Sequence, residues 1–62
     1  MPATTRQHQA RRIATEAVRQ AREFTGWTAY EVAKDYVRRE YPGLRKDQYD
    51  AIIDAIKDRL EI

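Results

Sequence analysis

Apolar side chains recur along this chain at spacings of three and four, the period of a helix that buries one face. In the N-terminal third, Ala10, Ile13, Ala14, Ala17, Val18, Ala21 and Phe24 fall on one such face. Val32, Ala33, Tyr36 and Val37 do so in the middle, and Tyr49, Ile52, Ile53, Ile56 and Leu60 near the C-terminus. No run of β-branched or aromatic residues alternates with period two, so no strands are expected. The pattern predicts an all-α fold, a single compact three-helix domain over residues 1–62 with helices at about 5–24, 28–41 and 45–60.

Local signals set these boundaries. Thr4 is placed to cap the first helix, with Gln7 in the reciprocal capping-box position. Gly26 suits the left-handed position that ends it. Thr28 and Glu31 make a second capping box, and Trp27 and Val32 flank it at staple spacing. Tyr41-Pro42-Gly43 stops the second helix, because proline disfavours helix in the residue before it. The third start has no Ser, Thr, Asp or Asn at the obvious cap, although Asp47 in its first turn suits the helix dipole. Among the aromatics, Tyr36 and Tyr49 lie on buried stripes, Phe24 and Trp27 bracket the first turn as core residues, and Tyr30 and Tyr41 sit at the margins of the second helix.

Length changes the picture by limiting the core. A chain of 62 residues buries only about 60% of its unfolded surface, and with no cysteine no disulfide staples it. The alanine-rich inner face of the first helix buries little area per turn, so packing of that helix against its copy in a homodimer is one route to stability. No apolar run approaches the roughly 20 residues of a membrane span. Met1-Pro2-Ala3-Thr4-Thr5 has no hydrophobic segment of the signal-peptide kind. A cytoplasmic protein with no membrane partner is expected.

Net charge is only +2, but it is sorted along the chain. Residues 1–24 carry five Arg against two Glu, and residues 45–62 carry four basic against five acidic side chains. On a helix, Asp47, Asp50, Asp54, Asp58 and Glu61 fall within roughly 80° of arc, nearly opposite the apolar stripe. His8, Arg11, Arg12, Arg19 and Arg22 occupy about 100° of the first helix, opposite its alanines. Glu16 and Glu23 edge that strip, at i,i+4 from Arg12 and Arg19. Arginine forks fit phosphate and carboxylate equally well. Asp50, Asp54 and Asp58 repel one another at i,i+4, about 0.2–0.5 kcal/mol per pair. Negative charge at Asp58 and Glu61 also opposes the dipole at the helix C-terminus. Such small penalties on one surface point to a use for it; the alternatives are an ordinary solvated face flanked by Lys46 and Lys57, or pairing with Arg19 or Arg22 of the same molecule.

Chemistry-bearing motifs are sparse. There is one histidine, His8, and no His/Cys/Asp/Glu set at metal-ligand spacing. Carboxylates strung along a helix cannot wrap a Ca²⁺ ion as a loop does. No nucleophile–base pair or phosphate-binding glycine loop can be assembled, and three short helices leave no room for a pocket of about 300 Å³. The chain is expected not to be an enzyme and to need no cofactor or metal.

From Trp27 onward, Thr28-Ala29-Tyr30-Glu31-Val32-Ala33 resembles the opening of the second helix in helix-turn-helix and winged-helix domains. With Tyr41-Pro42-Gly43-Leu44, Arg45-Lys46 and Ile52-Ile53, residues 27–60 also resemble the C-terminal domain of the chromatin protein DEK. The resemblance implies a tri-helical fold with the third helix in the recognition position and Arg45, Lys46 and Gln48 nearest the DNA. The aspartates on that helix depart from the pattern, since phosphates repel a row of carboxylates. No wing is expected after Ile62.

Three function classes follow. The first is a small non-enzymatic protein-binding regulator, adaptor or inhibitor of phage or mobile-element type, using Asp47, Asp50, Asp54, Asp58 and Glu61 against a charged protein surface. The second is nucleic-acid binding through His8, Arg11, Arg12, Arg19 and Arg22. The third is a self-assembling structural protein whose oppositely charged faces dock.

Overall fold

A computed structural model of the chain describes the backbone of residues 2–62 and the side chains of residues 8–62. It contains three helices, α1 (Pro2–Gln20), α2 (Gly26–Glu40) and α3 (Lys46–Leu60), with no strand among the described residues. The all-α three-helix architecture is the one the periodicity predicts.

The ends differ from expectation in instructive ways. Helix α1 begins at Pro2, where a residue without an N–H is tolerated because that donor has no helical partner anyway. Thr4 therefore lies inside the helix rather than capping it, and the Thr4 and Gln7 side chains lie outside the described ones. The helix closes early, at Gln20. The Ala21 N–H is shared between Ala17 O (3.2 Å) and Val18 O (3.0 Å), and Arg22 N donates to Arg19 O at 3.2 Å. Such i→i−3 bonds tighten the last turn.

Gly26 does take the left-handed conformation, at φ +58. It opens α2, however, instead of closing α1. Because glycine reaches that φ at little cost, the chain reverses at 26 and the residues after it are already helical. Thr25, in extended backbone, becomes the cap residue with no side-chain cap bond. Thr28 lies within the helix, and Glu31 meets Lys34 at 3.5 Å instead of a capping partner.

Pro42 forces α2 to end, and the Tyr41 N–H closes on Val37 O at 2.9 Å. The missing cap of α3 is supplied from within: Gln48 Oε1 accepts the Arg45 N–H at 3.1 Å. At the other end Glu61 sits at φ 60, ψ 44, and the N–H of Ile62 reaches Lys57 O at 3.1 Å. This is the Schellman closure that glycine usually makes.

The core is made of Ala10, Ala14, Ala17 and Ala21 from α1, Ala29, Tyr30, Ala33 and Val37 from α2, and Ile52, Ile53 and Ile56 from α3. Helix α1 packs on both others, most extensively on α3, while α2 and α3 touch least. Six of these eleven buried residues are alanine, so the helices approach closely and bury little. The molecule measures 35 × 22 × 15 Å. The alanine face of α1 is already covered within the monomer, with Ala14 and Ala17 at 0% exposure. It is not free to meet a copy, which removes the basis for a homodimer through that face.

The aromatics rearrange the expected core. Phe24 is 44% and Trp27 64% exposed, whereas Tyr30, expected at a margin, is only 7% exposed. Trp27 rests on the Tyr30 ring. Lys34 and Lys57 place their Nζ atoms 5.1 and 5.7 Å from the centroid of that ring. Among the described residues, no helix is long and apolar enough to cross a membrane.

Candidate functional site

The apolar stripe of α3 turns Ile52, Ile53 and Ile56 inward, which forces the opposite arc out. Asp47, Asp50, Asp54, Asp58 and Glu61 are all exposed. Two cations at the start of the same helix pair with members of the row. Lys46 Nζ lies 2.9 Å from Asp50 Oδ2, and Arg45 Nε lies 3.6 Å from Asp47 Oδ1. The hydrogen bond to Asp50 and its charge raise the Lys46 ammonium above its ordinary pKa. Both pairs are solvent-exposed, so they contribute little to stability.

Farther along α3, Asp54 and Asp58 make no ion pair with another described residue. They wall an open groove of about 670 Å³ between α3 and α1, shared with Arg11 and Arg59 and floored by Ala10, Ala51 and Ala55. Arg11 of the α1 strip shares this groove with the aspartates and forms no ion pair with another described residue. The anionic face therefore survives folding.

The cationic strip of α1 is exposed at His8, Arg11, Arg12, Arg19 and Arg22, but folding divides it. Arg11 borders the α3 groove. His8, Arg11 and Arg12 wall a second open groove of about 640 Å³ whose far side is Tyr41. Arg19 and Arg22 lie with Glu16 and Glu23. Glu16 is engaged by Arg19 at 3.8 Å and accepts a hydrogen bond from Gln20 Nε2 at 2.8 Å. The partner at i,i+4 is thus Gln20, and the ion partner is Arg19 rather than Arg12.

Tyr41, expected at the margin of the second helix, stands against the α1 cations in the second of these grooves. It also borders a third open groove, of about 360 Å³, with Arg38, Pro42, Leu44, Lys46 and Tyr49. Its place at the end of α2 is set by Pro42, but its approach to α1 depends on how the helices pack. The hydroxyl of Tyr49, which lines this third groove, is buried without a hydrogen-bond partner among the described residues. These grooves are open clefts between helices on the surface, not the kind of enclosed substrate pocket of about 300 Å³ that the sequence expectation concerned. Among the described residues, no group of three or more His, Cys, Asp or Glu is arranged to hold a metal ion.

Compared with known protein families, curated proteins and solved structures, the chain matches none.

Proposed function

We propose that this chain is a small protein-binding regulator, adaptor or inhibitor with no catalysis of its own, acting through the acidic face of α3. The observation that carries this reading is the state of Asp54 and Asp58. Both are exposed and without an ion partner among the described residues. They follow Asp50 at i,i+4, where like charges disfavour the helix. A row of carboxylates on a rigid rod fits a cationic protein surface, including one shaped to hold phosphates. Complementary charge speeds encounter and rejects wrong partners.

Nucleic-acid binding by α1 alone has less support, because its cations are divided among three surroundings and two of them lie beside glutamates. Self-assembly by docking of α3 on a copy's α1 would show as salt-dependent sedimentation.

Affinity capture from a nuclease-treated lysate tests the main reading. The wild-type chain should retain a basic protein that the Asp54→Asn/Asp58→Asn variant releases, while Arg12→Ala/Arg19→Ala retains it. Equal capture by all three chains, each with wild-type helical circular dichroism, sinks the reading.

A further inference from the structure

We infer that the surface around Tyr41 is a second binding site, for a single-stranded nucleic acid, in which the tyrosine ring stacks on a base and flanking cations hold the neighbouring phosphates. The inference rests on a juxtaposition made by all three helices and is independent of the acidic face.

Tyr41 stands where two open grooves meet. On one side are His8, Arg11 and Arg12 of α1. On the other are Arg38 of α2 and Lys46 of α3. Tyr41 is 38% exposed as a residue and borders both grooves, which leaves it accessible to a ligand. Pro42 and the 2.9 Å bond from the Tyr41 N–H to Val37 O fix its backbone. Arg12 and Arg38 make no ion pair with another described residue. The first groove contains one carboxylate, Glu16, which is already engaged by Arg19 and Gln20. Among its described lining residues the second has none, although Glu40 directly precedes Tyr41 and Lys46 must share its charge with Asp50.

A cation, an aromatic face and a second cation in succession match the order of a nucleic-acid strand, which alternates anionic phosphates with flat rings. Base–aromatic stacking with a charged groove along the backbone is the general physics of single-strand binding. A duplex hides its base faces and would meet only the cations. An acidic peptide would likewise use the cations, and its binding would survive loss of the ring.

A fluorescein-labelled oligothymidylate of about 12 nucleotides is the probe, titrated at low salt against the full chain. Binding should be tighter than to a duplex of equal length, and polyglutamate should compete poorly. Tyr41→Leu should weaken binding about tenfold or more, and Tyr41→Phe should keep it. Arg12→Ala with Arg38→Ala should flatten the log–log salt dependence by about 1.4, two single-strand phosphate contacts at about 0.7 each. Leucine keeps the bulk at this half-exposed position. Should Tyr41→Leu lose its helical signal, the comparison of Tyr41→Phe with Tyr41→His decides, with the weaker stacker expected to bind less well. The inference is overturned if the oligothymidylate fails to bind, if duplex or polyglutamate binds equally well, or if the non-aromatic variant binds like wild type.

Discussion

Trp27 lies across Tyr30 with ring centroids 4.9 Å apart and planes inclined by 38°, one ring mostly in water and the other in the core. The pair joins the first turn of α2 to the interior, and Lys57 of α3 approaches the same Tyr30 ring. The two residues should therefore differ sharply in their contribution to stability. Tyr30→Ala removes a 7% exposed ring and should cost about 3–5 kcal/mol, as large aromatic truncations do. That is comparable with the entire stability of a domain this size, about 3–9 kcal/mol at 0.05–0.15 kcal/mol per residue. Trp27→Ala should cost only about 0.5–1.5 kcal/mol, the usual worth of an aromatic pair. Urea unfolding of the two variants checks the order, and equal losses would contradict the arrangement.

The acidic face carries a prediction in the opposite sense. Asp54→Lys replaces two repulsive i,i+4 neighbours, Asp50 and Asp58, by two attractive ones. At about 0.2–0.5 kcal/mol per pair, with exposure keeping each interaction small, the variant should gain about 0.5–1 kcal/mol. It should melt higher than wild type while failing to capture the partner of the proposed function. A lower melting temperature would mean that Asp54 is stabilising and that the row is not a stability cost retained for binding.

Glu61 closes α3 in the left-handed region at φ 60. A side chain there is strained by about 1 kcal/mol relative to glycine, and its charge also opposes the helix C-terminus. Glu61→Gly should raise stability by about 0.5–1 kcal/mol. Thermal melts of Glu61→Gly and Glu61→Asn should rank glycine above asparagine and both above wild type.

Stability should fall at alkaline pH for two reasons of the same sign. Partial burial, helped by the Tyr41 phenol and the carboxylates of Glu16 and Glu40, raises the Tyr36 phenol above its ordinary 10.0. The hydrogen bond and charge of Asp50 raise Lys46 above 10.5. In both cases the folded chain holds its proton more tightly than the unfolded one. The resulting stabilisation is present below the unfolded pKa and is lost as pH rises through the folded value. Melting temperature should therefore decline above about pH 10, and Tyr36→Phe should make that decline shallower. A profile unchanged by Tyr36→Phe would remove the phenol from the account.

Much of the fold was legible from residue spacing. The three apolar stripes located three helices because a helix that buries one face must repeat every three or four residues. Gly26 and Pro42 announced the two reversals because their backbones are unlike any other residue's. The carboxylates of α3 were placed outward by the same periodicity that sends Ile52, Ile53 and Ile56 inward. Helix ends were less legible. Thr28 and Glu31 had the right types for a capping box, yet Gly26 turned the chain two residues sooner and left Thr25 to serve.

What the amino-acid order determined by itself was thus the helical class, the number of helices and the outward position of both charged strips. These depend on local backbone preference and on a periodicity counted within one segment. Tertiary structure alone decided that Tyr30 enters the core while Trp27 stays out, that the arginines of α1 divide among separate grooves, and that Tyr41 joins cations from three helices. Those outcomes depend on the contacts that rotate and place one helix against another, and no spacing within a single helix encodes them.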